Sequence, residues 1–209
     1  MSPRTKEQND EIRERRKQQI LETAETLFLQ NGMQLDIRDV ALKAGLGYGT
    51  VYHYYNNKHL LIHDIMEAGF AAAEELPKRL DAAQMPLEQL HGCLRQLPDS
   101  WTASRALFAV CKQAAERFMM FEPELQHSYS LRFESFIYNP VVNLIEDAIR
   151  QQELPPGLDP QQTANTLLGA LIGAYSIYNN HNSGRFDAGF TANVLIQGIK
   201  ATQQEAVQA

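Results

Sequence analysis

Apolar positions recur every three to four residues along almost the whole chain, and no stretch shows the period of two that a half-buried strand requires. Ile20, Ala24, Leu27 and Phe28 form one stripe in an otherwise polar segment, which predicts a first helix from about Asp10 to Asn31. Ile37, Val40, Ala41 and Ala44 form a shorter stripe. Asp36 stands where its carboxylate can accept from the free N–H groups two and three residues on, and Asp39 adds negative charge to the same turn. Gly45 follows the last apolar position, where a left-handed residue ends a helix and glycine sits freely. Gly47 is a tolerable N-cap for a further short helix, Tyr48 to Tyr55, that buries Val51 and Tyr55 at i, i+4 and turns Gly49, Thr50 and His53 outward. Asn56 and Asn57 break that helix. Asn57 can cap the next, which runs from Lys58 to about Glu75 and carries Leu61, Ile65, Met66 and Phe70 inward.

Beyond it, Pro77 and Pro86 mark a break. A short helix is expected from Pro86 to about Leu97, and Pro98–Asp99–Ser100 opens the next, Trp101 to about Met120. Pro123 suits a first helical turn and opens a long helix to about Gln152, with Pro140 expected to kink or break it. Leu154 to Pro160 reads as a loop. Residues Gln161 to Gly184 carry no charge. Asn165, Asn179, Asn180 and His181 interrupt them, and the unbroken apolar part is too short for a membrane span. One face there holds Ala164, Leu167, Leu168, Leu171, Ala174, Tyr175 and Tyr178; another holds Gly169, Ala170, Gly173 and Ile177. A helix apolar on two faces is buried on two. Asp187 to about Glu205 gives a last amphipathic helix with Phe190, Val194, Leu195 and Ile199. The expected fold is all-α, with three N-terminal helices (residues 1–57) and a larger helical region (residues 58–209).

Charge changes the picture in one respect. The net formal charge is −6, but residues 1–62 hold 9 Lys+Arg against 8 Asp+Glu while the remainder holds 10 against 17. The acidity therefore belongs to the second region, and the near-neutral first region can present clustered cations to phosphates. Arg4, Lys6, Arg13, Arg15, Arg16 and Lys17 lie in its leading arm, without a signal for which of them reach a partner. The polar N-terminus lacks an apolar targeting segment, so a cytoplasmic protein is expected. Cys93 and Cys111 have no metal or redox spacing and are expected to be idle thiols. His59 and His63 stand at i, i+4 without the glutamate of a metalloprotease motif, and no metal or cofactor is expected.

Helix, glycine turn and helix with a polar-aromatic outer face is the helix-turn-helix arrangement, whose second helix enters the DNA major groove. At these positions the chain resembles TetR-family transcriptional regulators. The resemblance rests on Val40–Ala41 with Ala44–Gly45, on Gly49–Thr50 with Tyr52, and on Lys58 followed by Leu60 and Leu61; upstream, Ile20, Ala24, Leu27, Phe28 and Gly32 agree. It covers about a quarter of the chain. Two positions depart from it: Gly47 stands where a serine cap is usual, costing a few tenths of a kcal/mol, and Tyr48 stands where a small or charged residue is usual. The wheel places Thr50 and His53 toward the groove and Tyr52 and Tyr54 on the flanks. Tyr48 is ambiguous by the wheel, and the resemblance places it at base edges. The resemblance also implies a phosphate contact for Lys58, whose place in a helix's first turn is poor for dipole electrostatics.

The function expected is therefore a DNA-binding regulator, acting as a homodimer built from the last two helices on a palindromic operator. It is expected to repress until a small apolar or aromatic ligand enters the second region. Candidate ligand residues are Met66, Phe70, Trp101, Phe108, Phe133, Phe136 and Tyr175, with Arg105, Arg132, His63 and Tyr138 as possible polar partners. Filling the core is the competing role for each aromatic. The competing function is a helical enzyme or ligand carrier, but no spaced nucleophile, carboxylate pair or ligand set ties the scattered polar groups together.

Overall fold

The computed structural model describes residues 6–76, 78, 83–181 and 184–206, and shows helices throughout; Arg4 and Pro77 lie outside the described residues. The helices are α1 (Lys6–Asn31), α2 (Ile37–Ala44), α3 (Tyr48–Tyr54), α4 (Lys58–Glu74), α5 (Pro86–Ala103), α6 (Arg105–Ala115), α7 (Pro123–Phe133), α8 (Asn139–Arg150), α9 (Pro160–His181) and α10 (Ala188–Ala206). None of them, among the described residues, is long and apolar enough to cross a membrane.

The turn chemistry follows the sequence closely in the first region. Asp36 accepts from Arg38 N–H at 2.7 Å and starts α2. Gly45 ends it in the left-handed conformation, φ 65°, which a side chain would strain. Asn57 accepts from His59 N–H at 2.8 Å and starts α4. The first helix begins at Lys6 rather than near Asp10, with Glu7 in its first turn; its leading half is a solvated polar extension that nothing in the sequence interrupts.

Three boundaries further on differ from expectation. Pro98 does not end a helix: α5 runs through it to Ala103, and Trp101 belongs to α5 rather than α6. Proline's fixed φ is compatible with a helix, so one lost hydrogen bond is tolerated where the ring is buried. The actual break is Ser104, extended at φ −133°, whose Oγ accepts from Leu107 N–H at 3.2 Å. At the other end α6 stops at Ala115, not near Met120, because Arg117 and Phe118 take left-handed backbone, φ 55° and 53°. Such residues cost about 1–3 kcal/mol each. Burial offsets that cost at Phe118, whose ring packs on Phe70 and Tyr129. Near Pro140 the helical run widens into one π turn, Glu134–Tyr138, with Asn139 N–H reaching back to Glu134 O. The π turn lies just ahead of the proline that cannot donate.

Two apolar clusters share α6. The lower one joins Ile20 and Phe28 of α1, Val40 of α2 and Val51 of α3 with Leu61, Ile65, Met66 and Phe70 of α4 and Ala106, Ala109 and Val110 of α6. The upper one joins α5, α8, α9 and α10 with Leu107, Phe108 and Cys111 of α6. Consecutive residues of α6 therefore serve opposite cores. Gly69 makes the α4–α6 crossing close: a Cβ there would meet the Ala106 carbonyl group and lie 2.6 Å from Val110 Cγ2. On the outer faces of α9 and α10, Ile177, Phe190 and Val194 stay 64%, 66% and 53% exposed, and Gly169 and Gly173 have nothing near the place of a Cβ.

Candidate nucleic-acid interface

The short helix α3 is held by two buried side chains, Val51 and Tyr55, and by what they reach. Tyr55, its C-cap, donates its hydroxyl to Asp64 Oδ2 of α4 at 2.9 Å, and Lys17 of α1 pairs with the same carboxylate oxygen at 3.2 Å. Burial, and then the bond to Asp64, push the Tyr55 phenol upward, so it stays protonated. Asp64 thus ties α1, α3 and α4 together. Gln19 of α1 adds a bond to the Ala44 carbonyl at 2.8 Å. Helix α3 is thus held from within the molecule, which leaves its other side open.

That side carries Tyr48 and Tyr52, 47% and 48% exposed, with exposed Gly49 and His53 and half-buried Thr50 and Tyr54. Tyr48 and Tyr52 lie together at 5.7 Å between ring centroids, and His53 meets Tyr54 edge-on at 5.7 Å. Gly49, Thr50, His53 and Tyr54 form one wall of an open concavity of about 700 Å³; Ile12, Arg13 and Arg16 of α1 form the other. The arm cations the sequence could not rank are thereby separated: Arg13 and Arg16 stand opposite Thr50 and His53. Arg38, which the sequence reading passed over, lies 5.9 Å above the Tyr48 ring. A cation in the first turn of α2 runs against the helix dipole, and that was the available signal. Lys58 is engaged within the molecule, donating to the Met33 carbonyl at 2.7 Å. That bond answers the sequence argument for a bound anion with an internal acceptor.

The candidate ligand residues fall into four places. Met66 and Phe70 are fully buried in the lower core, and Arg132 lies 4.2 Å over the Phe70 ring while pairing with Glu67 at 2.6 Å. Phe133 lines a groove along α7, and Phe136 lines a narrow niche of about 20 Å³. Trp101, Phe108 and Tyr175 do come together, with ring centroids 4.8 to 5.2 Å apart, and border a cleft of about 810 Å³ that also contains Arg105. The Tyr138 hydroxyl reaches the Gln161 carbonyl at 3.4 Å, and His63 lies beside Asp64 and Tyr129. The thiols are unactivated: burial pushes Cys93 up to about 11 and Cys111 up to about 12.

The model of the family described as "Bacterial regulatory proteins, tetR family" matches residues 20–65, the stretch that builds this interface. The regulator YhgD of Bacillus subtilis, an uncharacterised helix-turn-helix protein, is 27% identical over 162 residues, covering 75% of this chain and 81% of YhgD. Residues 20–65 are thus similar to the tetR family of bacterial regulatory proteins. Solved TetR-like folds agree with the chain over most of its length. A crystal structure of AibR in complex with isovaleryl coenzyme A and operator DNA superposes with a TM-score of 0.70 at 22% identity, covering 88% of this chain and 98% of AibR. The ketosteroid regulator KstR2 of Mycobacterium tuberculosis does so with a TM-score of 0.69 at 20% identity, covering 88% and 95%. At these identities the agreement establishes the architecture alone.

Proposed function

We propose that this regulator represses transcription by binding a pseudo-palindromic operator as a homodimer, and that a small apolar or aromatic ligand releases it. The observation carrying the DNA part is the concavity in which Thr50 and His53 oppose Arg13 and Arg16. Hydroxyl and imidazole groups can read base edges while guanidinium groups hold phosphates. Tyr48 and Tyr52 supply flanking hydroxyls. Residues 1–57 read DNA and residues 58–209 sense and dimerise, with α4 common to both through Asp64. The work is regulatory rather than catalytic, and it takes place in the cytoplasm, where the operator is.

The dimer face is the outer side of α9 and α10. Exposed Ile177, Phe190 and Val194 beside two uncovered glycines form an apolar surface that a second copy covers, giving a four-helix contact about a two-fold axis. Two symmetric recognition helices then call for half-sites about one helical turn, ~34–36 Å, or a multiple apart.

For the ligand, coenzyme A thioesters are the first compounds to test, because AibR was crystallised with one and shares this architecture. The experiment is a footprint on the DNA flanking the regulator's own gene, with and without isovaleryl coenzyme A. A protected two-fold-symmetric site that is lost with ligand supports the reading. An absence of protected DNA at low salt overturns it.

A further inference from the structure

The cleft beside Trp101 has a composition that a general apolar pocket does not explain. It opens between the last turns of α1 (Thr26, Leu29, Gln30) and the helices of the second region. Its floor is the Trp101, Phe108 and Tyr175 cluster, extended by Phe186 at 5.3 Å from Tyr175. Its walls hold three cations, Arg105, Lys112 and Arg185, and its lining includes no aspartate or glutamate. In a chain of net charge −6 that is a local reversal of sign. Arg105, Phe108 and Lys112 lie at i, i+3 and i+7, so one face of α6 presents cation, ring, cation. Arg185, at the rim, is partnered by Asp99 at 3.1 Å. The volume is that of a site for a small molecule.

We propose that this cleft binds a small molecule with an aromatic or apolar body and an anionic group, the body on the aromatic floor and the anion between Arg105 and Lys112. The inference rests on the reading of the chain as a ligand-released repressor and adds where the ligand sits and how it acts. Both cations already serve the contact between α1 and α6. Lys112 Nζ donates to the Leu29 carbonyl at 3.2 Å. Arg105 faces the buried Glu25 carboxylate of α1, which also accepts from Ala106 N–H at the start of α6. An anion that recruits Lys112 and Arg105 competes with Leu29 and Glu25 and loosens α1 from α6. At ~1.5 Å per residue, α1 is a lever of about 39 Å. The cleft meets its last turns, and Arg13 and Arg16 stand about 20–24 Å back along the helix from Leu29. The DNA-contacting end of α1 thus shifts when its far end is released, alongside any movement of α4.

The test uses the full chain and two fluorescent probes of similar shape, anilinonaphthalene sulfonate, which is anionic, and the neutral N-phenyl-1-naphthylamine. The sulfonate is expected to saturate with energy transfer from Trp101 and to compete with operator DNA. Arg105→Gln and Lys112→Gln should each weaken it about tenfold, the usual worth of a charge-assisted hydrogen bond, while leaving the neutral probe unaffected. Melting curves check that each variant folds, and either variant alone is sufficient. Sulfonate binding that does not saturate, or that neither variant changes, overturns the site. Binding that depends on Arg105 and Lys112 but leaves operator affinity unchanged keeps the site and overturns the release reading.

Discussion

Gly69→Ala tests how the two halves of the molecule are joined. Gly69 lies where α4 crosses α6, and a methyl group there would sit 2.6 Å from Val110 Cγ2 and 2.8 Å from the Ala106 carbonyl carbon, with the carbonyl oxygen nearer still. Carbon atoms prefer ~3.5–4.0 Å. A backbone carbonyl cannot rotate away as a side chain can, so the helices must part by about 1 Å. Overpacking of this kind costs about 1–3 kcal/mol, and the better helix propensity of alanine returns about 1 kcal/mol. With a backbone carbonyl as the obstacle the cost lies in the upper part of that range, about 2–3 kcal/mol, so the expected net loss is about 1–2 kcal/mol, a fall in melting temperature of roughly 2–8 °C for a chain of this size. Gly92→Ala is the matched control: it lies inside α5 with nothing within 4 Å of the added carbon. It should gain about 0.4–1 kcal/mol. Both are read by circular dichroism melts at equal protein concentration, because dimerisation contributes to stability. Operator affinity, measured alongside, should fall for Gly69→Ala, since Tyr55 and Asp64 carry any shift of α4 into the recognition helix. If Gly69→Ala melts at or above the wild-type temperature, the crossing is not the close joint described here.

Lys58→Ala should cost about 1 kcal/mol of stability from the lost Met33 bond and leave the slope of log affinity against log salt unchanged; a slope lower by ~1 across all DNA sequences would show that Lys58 leaves Met33 for a phosphate. Glu25 is held above its ordinary value of 4.5, chiefly by burial and against the opposing pull of Arg105. The folded state therefore binds the proton more tightly than the unfolded state, and stability declines as pH rises from that value through the folded one. Glu25→Gln, which keeps the acceptor for Ala106 N–H, should flatten that decline relative to wild type in melts from pH 4 upward, and parallel curves would refute it. Ile177→Glu should give a monomer of 23.7 kDa by ultracentrifugation at micromolar concentration, while a variant that stays dimeric would move the interface elsewhere.

Local chemistry was legible where it is decided within a few residues. Asp36, Gly45 and Asn57 set the bounds of the helix-turn-helix because each cap is made by a side chain or a φ angle that its neighbours cannot alter. The exposed side of α3 followed from Val51 and Tyr55 alone. Prediction failed where distant contacts outweighed local preference. Pro98 reads as a stop, but burial in α5 tolerates its missing hydrogen bond. Phe118 reads as helical, but its ring is worth more in the Phe70–Tyr129 cluster than its backbone loses. The aromatic candidates could not be sorted because Phe70 and Trp101 have the same pattern in the sequence, and only the packing of α1 against α6 decides which borders a cleft. The charge of that cleft was hidden for a related reason. Nothing in the sequence singles out Lys112, and Arg105, Lys112 and Arg185 are brought together only by the fold. Asp64, which joins three helices, gave no pattern at all.

The central claim is that α3 reads DNA sequence while α1 holds the backbone. The most direct measurement is in vitro selection from a random duplex library, followed by affinities of the selected site for wild type, His53→Ala and Arg16→Ala over a range of salt. The account predicts a two-fold-symmetric consensus. It predicts that His53→Ala loses about 1–3 kcal/mol of discrimination at one position of each half-site, and that Arg16→Ala weakens all sequences alike with a salt slope lower by ~1. A library that yields no consensus, or a consensus bound and discriminated equally by wild type and His53→Ala, would contradict it.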